Sequence, residues 1–118
     1  MRVSLVAASI LAIAACGGSG DHHVGTARAS SPTAVTSIPF DLYTHCGVDE
    51  ARIRTDYYEA DRPLDDGMGN PPSGWSNPTA TGTMTVYSDH SATFHDGLGH
   101  IVRFHLRSGA ESFKQICS

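Results

Sequence analysis

The 118-residue sequence has no apolar run long enough to cross a bilayer. Its most apolar stretch, Val3–Ala15, carries no charge, proline or glycine, but a helical span needs about 20 such residues. No segment reads as an amphipathic helix longer than one or two turns, and no internal repeat is present. Basic residues are scarce, 8 Lys and Arg against 12 Asp and Glu, for a net charge of −4. That balance argues against nucleic acid as a partner and against adsorption to anionic lipid by charge alone. The three cysteines include no CxxC pair, which makes a poor zinc site, so neither a metal nor another cofactor is expected. There is no GxSxG elbow, phosphate-cradling glycine loop or dinucleotide fingerprint. No catalytic residues are indicated.

What is present starts at the N-terminus. Arg2 supplies a minimal positive region, and Val3–Ala15 has the length of a signal-peptide apolar region. It ends in Ile13-Ala14-Ala15-Cys16, followed at once by Gly17-Gly18-Ser19-Gly20. This arrangement resembles the lipobox of bacterial lipoproteins: an aliphatic residue, two small residues and a cysteine. The resemblance implies that residues 1–15 are a signal peptide, cut before Cys16, with diacylglycerol on the Cys16 sulfur. Small residues before the cut let the backbone enter a peptidase groove, and the thiol is the nucleophile for lipid transfer. An ordinary signal peptide cut after Ala12-Ile13-Ala14 is the alternative, and it leaves Cys16 unexplained. The implied location is the outer face of the cell membrane, reached through acyl chains. One chain binds only marginally, whereas two or three anchor stably. Without residues 1–15 the chain has 7 basic and 12 acidic residues, a net charge near −5.

With Cys16 lipidated, Cys46 and Cys117 remain, and an oxidising exterior permits them to pair. Closing so long a loop in the unfolded chain is worth roughly 4 kcal/mol in the chain-entropy model. Free thiols or metal ligation are the other options for this pair. Residues 16–35, rich in Gly, Ser, Ala and Thr, read as a tether with a reach of roughly 25 Å. His22-His23 within it reads as a solvated pair.

The folded domain is expected over residues 36–118. From Thr36 the sequence alternates with period two, the pattern of half-buried strands. Ile38, Phe40, Leu42 and Cys46 share one face. In Glu50–Ala60, Ala51, Ile53, Thr55 and Tyr57 lie opposite Arg52, Arg54, Asp56 and Tyr58. Cys46-Gly47-Val48-Asp49 between the two runs predicts a tight turn and hence a first hairpin. Residues 61–80, with Pro63, Pro71, Pro72 and Pro78, predict a long irregular loop, of a kind that is often functional. Strands follow over Thr81–Ser88, Ser91–Asp96 and His100–Arg107, with a hairpin turn at Asp96-Gly97-Leu98-Gly99. The tail, Ser108–Ser118, predicts a short strand or turn ending at Cys117. The fold class is all-β: a small antiparallel barrel or sandwich-like sheet of five to six strands, stapled by one disulfide.

Five histidines lie in this domain. An odd-length loop places Phe94 opposite Val102, His95 opposite Ile101 and His105 opposite Ser91. The last two imidazoles are then roughly 13 Å apart, too far to share a metal. His45 and His90 remain free to meet through folding. Asp65-Asp66-Gly67-Met68-Gly69-Asn70 superficially suggests a calcium loop, but acids do not alternate and no Glu closes it. Cys46 beside His45 suggests a thiol–imidazole pair, yet neighbours in a strand point to opposite faces. Trp75 reads as a plug over one end of the sheet, or else as an exposed anchor in a binding loop with Asn70, Asp65 and Asp66.

Gly69-Asn70-Pro71-Pro72-Ser73-Gly74-Trp75-Ser76-Asn77-Pro78 is the most distinctive segment. With Tyr43–Val48 and Gly82–Thr85, it is similar to segments of small exported actinobacterial proteins. That resemblance spans about residues 38–107 and implies no activity. The expected role is therefore a non-catalytic binding or envelope-associated module, its partner an envelope component or a membrane protein. Two alternatives follow from the same residues: a small metal-dependent hydrolase using His45, His90 or Asp65, and a structural subunit pairing through an exposed edge strand.

Overall fold

The computed structural model describes residues 30–117. The signal peptide, Cys16 and most of the tether expected from the sequence lie outside them. Six strands account for the regular structure: β1 (Ala34–Tyr43), β2 (Val48–Ile53), β3 (Asp56–Leu64), β4 (Thr79–Tyr87), β5 (Ser91–His95) and β6 (Ile101–Leu106). They form one antiparallel sheet in the order β1-β4-β5-β6-β3-β2, which curls into a half-barrel around a single core. The all-β expectation holds.

The centre of the sheet follows the local pattern. Alternation in β4, β5 and β6 buries Met84, Ala92, Phe94, Val102 and Phe104. Phe94 faces Val102, His95 faces Ile101 and Ser91 faces His105, the register the turn at Asp96–Gly99 predicts. Curvature comes from unequal pairs on the inner face. The buried alanines stand opposite large residues: Leu42 against Ala80, Ala51 against Tyr58, and both Ala60 and Ala92 against Phe104. Alternating small and large side chains let a narrow barrel wall close without overpacking.

The first hairpin differs from expectation. β1 does not pair with the run that follows it; it pairs with β4 along its whole length, from Ala34 opposite Tyr87 to Tyr43 opposite Thr79. The reason lies at the corner. Thr44 N–H and His45 N–H both donate to Pro78 O, at 2.8 and 3.2 Å, so the end of β1 continues along the lead-in to β4. Cys46 and Gly47 then turn the chain with positive φ of 69° and 101°. The run expected as one strand over 50–60 is itself a hairpin, β2 and β3, joined at Arg54-Thr55 with Ile53 opposite Asp56. A two-residue connection pairs odd with even positions, so the buried phase passes from Ala51 and Ile53 to Tyr58 and Ala60. Tyr57, not Tyr58, faces outward.

The irregular segment is shorter than residues 61–80, because β3 runs on to Leu64 and β4 begins at Thr79. Pro63 is tolerated because β6 pairs with β3 only at Tyr58–Ala60, leaving Pro63 beyond the central ladder. β1 begins at Ala34, two residues before the expected start. The tail forms no strand up to Cys117. It runs instead as an extended strap over the outer face of β2 and β3.

Candidate functional site

A cleft of about 450 Å³ opens where the sheet fails to close, between β1, β2 and the strap. β1 and β2 are the two edge strands, and register shows where their unpaired backbone groups point. Thr44 N–H to Pro78 O continues the β1–β4 ladder through even-numbered residues. Pro39, Asp41 and Tyr43 therefore turn their backbone groups away from β4, which suits Pro39, having no N–H to give. In the two-residue β2–β3 hairpin, Ile53 and Asp56 exchange both bonds. That alternation turns the backbone groups of Arg52 and Glu50 to the other free edge.

The strap is held by a charged clamp on the outer face. Glu50, its side chain only 6% exposed, accepts from Arg107 Nη1 at 2.8 Å and from Lys114 N–H at 2.8 and 3.1 Å. Arg107 Nη1 also donates to Ser112 O at 2.8 Å, and Lys114 Nζ pairs with Glu59. The Lys114 hydrogen bond holds the Glu59 carboxyl below its ordinary range, and the pairing raises the Lys114 ammonium in turn. His105 lies between Asp61 and Glu59, with Nδ1 2.7 Å from Asp61 Oδ1 and Nε2 3.6 Å from Glu59 Oε2. Phe113 meets the Tyr57 ring edge-on at 5.0 Å. Cys117 then reaches Cys46, with Cα atoms 6.3 Å apart and the sulfurs at disulfide-bonding distance.

The cleft thus has a polar wall and an apolar floor. Asp41, Asp49 and Arg52 line it with Tyr43, Phe113 and Ile116. Tyr43 and Phe113 are 48% and 42% exposed, so part of each side chain is open to contact. Asp41 is steadied by Thr81 Oγ1, which donates to it at 2.8 Å. The arrangement suits binding of an extended polypeptide, with backbone bonds from an edge and aromatic contact from the floor.

The residues singled out from sequence are dispersed. Asp66 Oδ1 accepts from Met68 N–H and Asn70 N–H, Asp66 Oδ2 accepts from Asn70 Nδ2, and Asp65 Oδ1 accepts from Gly67 N–H. These acids shape their own turn. The hydrogen bond from Met68 N–H is the main reason the Asp66 carboxyl is lowered. Trp75 does not join them. Its ring packs on the core, stacked on His100 at 4.1 Å and beside Phe94 at 6.4 Å, the geometry of a plug. Asp96 fixes that His100, with Oδ2 2.6 Å from Nδ1. Burial pushes the Asp96 carboxyl up, but hydrogen bonds from the His100 ring and from the His100 and Leu98 amides outweigh it.

His45 and His90, left free to meet by the sequence, do not come together. His45 follows Tyr43 at the corner, whereas His90 lies in the β4–β5 turn, beside the Ala34 end of β1. The ten residues of β1 separate them by roughly 30 Å. Asp65 accepts from Gly67 N–H within its own turn, so the fold does not bring His45, His90 and Asp65 together. Sequence reasoning missed the clamp of Glu50, Glu59, Arg107 and Lys114, and the edge residues Asp41 and Tyr43. It also missed that the fold brings His45 to Cys46 and Cys117, with donor atoms of all three within 4.8 Å. Comparison with protein-family models, curated proteins and solved structures finds no match.

Proposed function

We propose that the chain is an exported lipoprotein, cut before Cys16 and lipid-anchored there at the outer face of the cell membrane, which displays a binding module. The cleft between the β1 and β2 edges carries this reading. Its occupant is an extended segment of an envelope or membrane protein, added to one edge and packed on Tyr43 and Phe113. The acids Asp41 and Asp49 favour a segment bearing Lys or Arg. Because β1 and β2 run antiparallel, a single added strand is antiparallel to only one of them.

Two measurements test the two halves of the reading. Full-length protein should fractionate with membranes, and Cys16→Ser should move it to the soluble fraction; a variant that stays membrane-bound refutes the lipid anchor. A photo-crosslinking residue at Tyr43 should capture a defined partner in native membranes, while one at Thr93, on the outer face of β5, should not. Equal labelling from both positions would overturn the cleft as the binding surface.

A further inference from the structure

We infer that His45, Cys46 and Cys117 form a redox-gated zinc site, closed while the two cysteines are bonded and competent once they are reduced. A ring nitrogen of His45 and the two sulfurs already lie within 4.8 Å of one another. Two thiolates and one imidazole, with a fourth position left for water, is an established donor set for Zn²⁺. The cleft alongside provides room for that water.

The ligands are positioned by contacts that do not depend on the disulfide. The corner is fixed by Thr44 N–H and His45 N–H on Pro78 O, by Gly47 N–H on Thr44 O at 2.9 Å, and by Thr44 Oγ1 on Ser76 O. His45 Nδ1 lies 3.3 Å from Asn77 Oδ1. An amide oxygen there takes the ring N–H and leaves the lone pair on Nε2, the outer support that metal-bound histidines usually have. Cys117 is delivered by the strap, which the Glu50 and Glu59 clamp holds independently. Reduction therefore frees both sulfurs while the corner, and the strap as far as Lys114, keep contacts of their own.

The chemistry balances. An external dithiol gives two electrons and two protons to the Cys46–Cys117 bond and becomes a disulfide itself. Zn²⁺ then binds both sulfurs as thiolates, displacing two protons to solvent.

The test uses the full-length, tag-free chain carrying Cys16→Ser, so that only two thiols remain. Zn²⁺ is titrated into oxidised and dithiol-reduced protein against a chromophoric chelator. The reduced form should take up one more Zn²⁺ per chain than the oxidised form, so binding elsewhere, including at His22-His23, cancels. His45→Gln, which leaves the cysteines intact, should weaken the added site at least about tenfold, and Asn77→Ala about tenfold. Co²⁺ in place of Zn²⁺ should give the thiolate charge-transfer band and intense visible absorption of tetrahedral coordination. If reduction unfolds the chain, Zn²⁺ should restore its circular dichroism. Equal uptake by both redox forms, unchanged affinity in His45→Gln, or an unfolded reduced chain that zinc does not refold would each overturn the inference. A partner captured at Tyr43 bears on the cleft alone, so the two readings fail separately.

Discussion

Gly47 shows how much one residue constrains at the corner. Its φ of +101° lies where a side chain strains the backbone, and an added Cβ would sit 2.8 Å from Leu64 O and 3.1 Å from Asp65 Cβ. Gly67 offers a natural control: its φ is +80°, but nothing lies within 4 Å of the same added atom. Gly67→Ala should therefore cost only the left-handed backbone penalty, about 1 kcal/mol. Gly47→Ala adds a clash with backbone and should cost at least about 2 kcal/mol. Urea midpoints of the two variants measure the difference, and equal losses would show that β3 does not press on the corner as described. The same scale explains what the sequence concealed. Arg54 takes a positive φ of 58° with no glycine or asparagine to announce a turn, so the β2–β3 hairpin reads as one strand. His45 stands next to Cys46 in sequence, and strand alternation sends such neighbours to opposite faces. The corner is not a strand, and so they converge.

At the scale of elements, legibility follows the distance over which pairing is decided. β4, β5 and β6 form hairpins whose register depends on loop length and on the buried phase of Phe94, Val102 and Phe104, all within a few residues of one another. β1 chooses a partner more than thirty residues away, through hydrogen bonds to Pro78 O that no period-two pattern encodes. The strap is the extreme case, since its docking rests on Glu50 and Glu59 across the sheet while its own sequence shows only Phe113 and Ile116 as large apolar residues. That docking has a pH signature. Lys114 holds Glu59 below its ordinary 4.5, so ionised Glu59 favours the docked strap above that value. The contribution falls away as acid carries the pH down through the lowered folded value. NMR titration should show Glu59 ionising below 4.5, with the Phe113 ring shifts following it. Lys114→Met should return Glu59 toward 4.5. An unshifted Glu59 in the parent protein would mean the strap is held by Glu50 and Cys117 without it.

For the whole molecule, the open sheet concentrates its weakness at one seam. A closed barrel removes edges by pairing its first and last strands, whereas here β1 and β2 remain unpaired edges joined through the corner. The strap and the Cys46–Cys117 link tie that seam from outside. The link spans 71 residues, which the chain-entropy model values at roughly 4 kcal/mol. Small domains total about 5–15 kcal/mol, so its loss takes a large share. The loss should also be uneven. β5 and β6 are paired on both sides and carry Phe94 and Phe104 at zero exposure, whereas β2 leans on the strap and on β3 alone. In a Cys46→Ser, Cys117→Ser variant, hydrogen exchange should therefore speed first in the strap and β2, with β5 and β6 remaining the slowest amides. A uniform loss of protection would show instead that the link acts only through the unfolded chain. Selective loss would make the seam an independently opening unit, and that is the property an extended partner at the β1 or β2 edge would exploit.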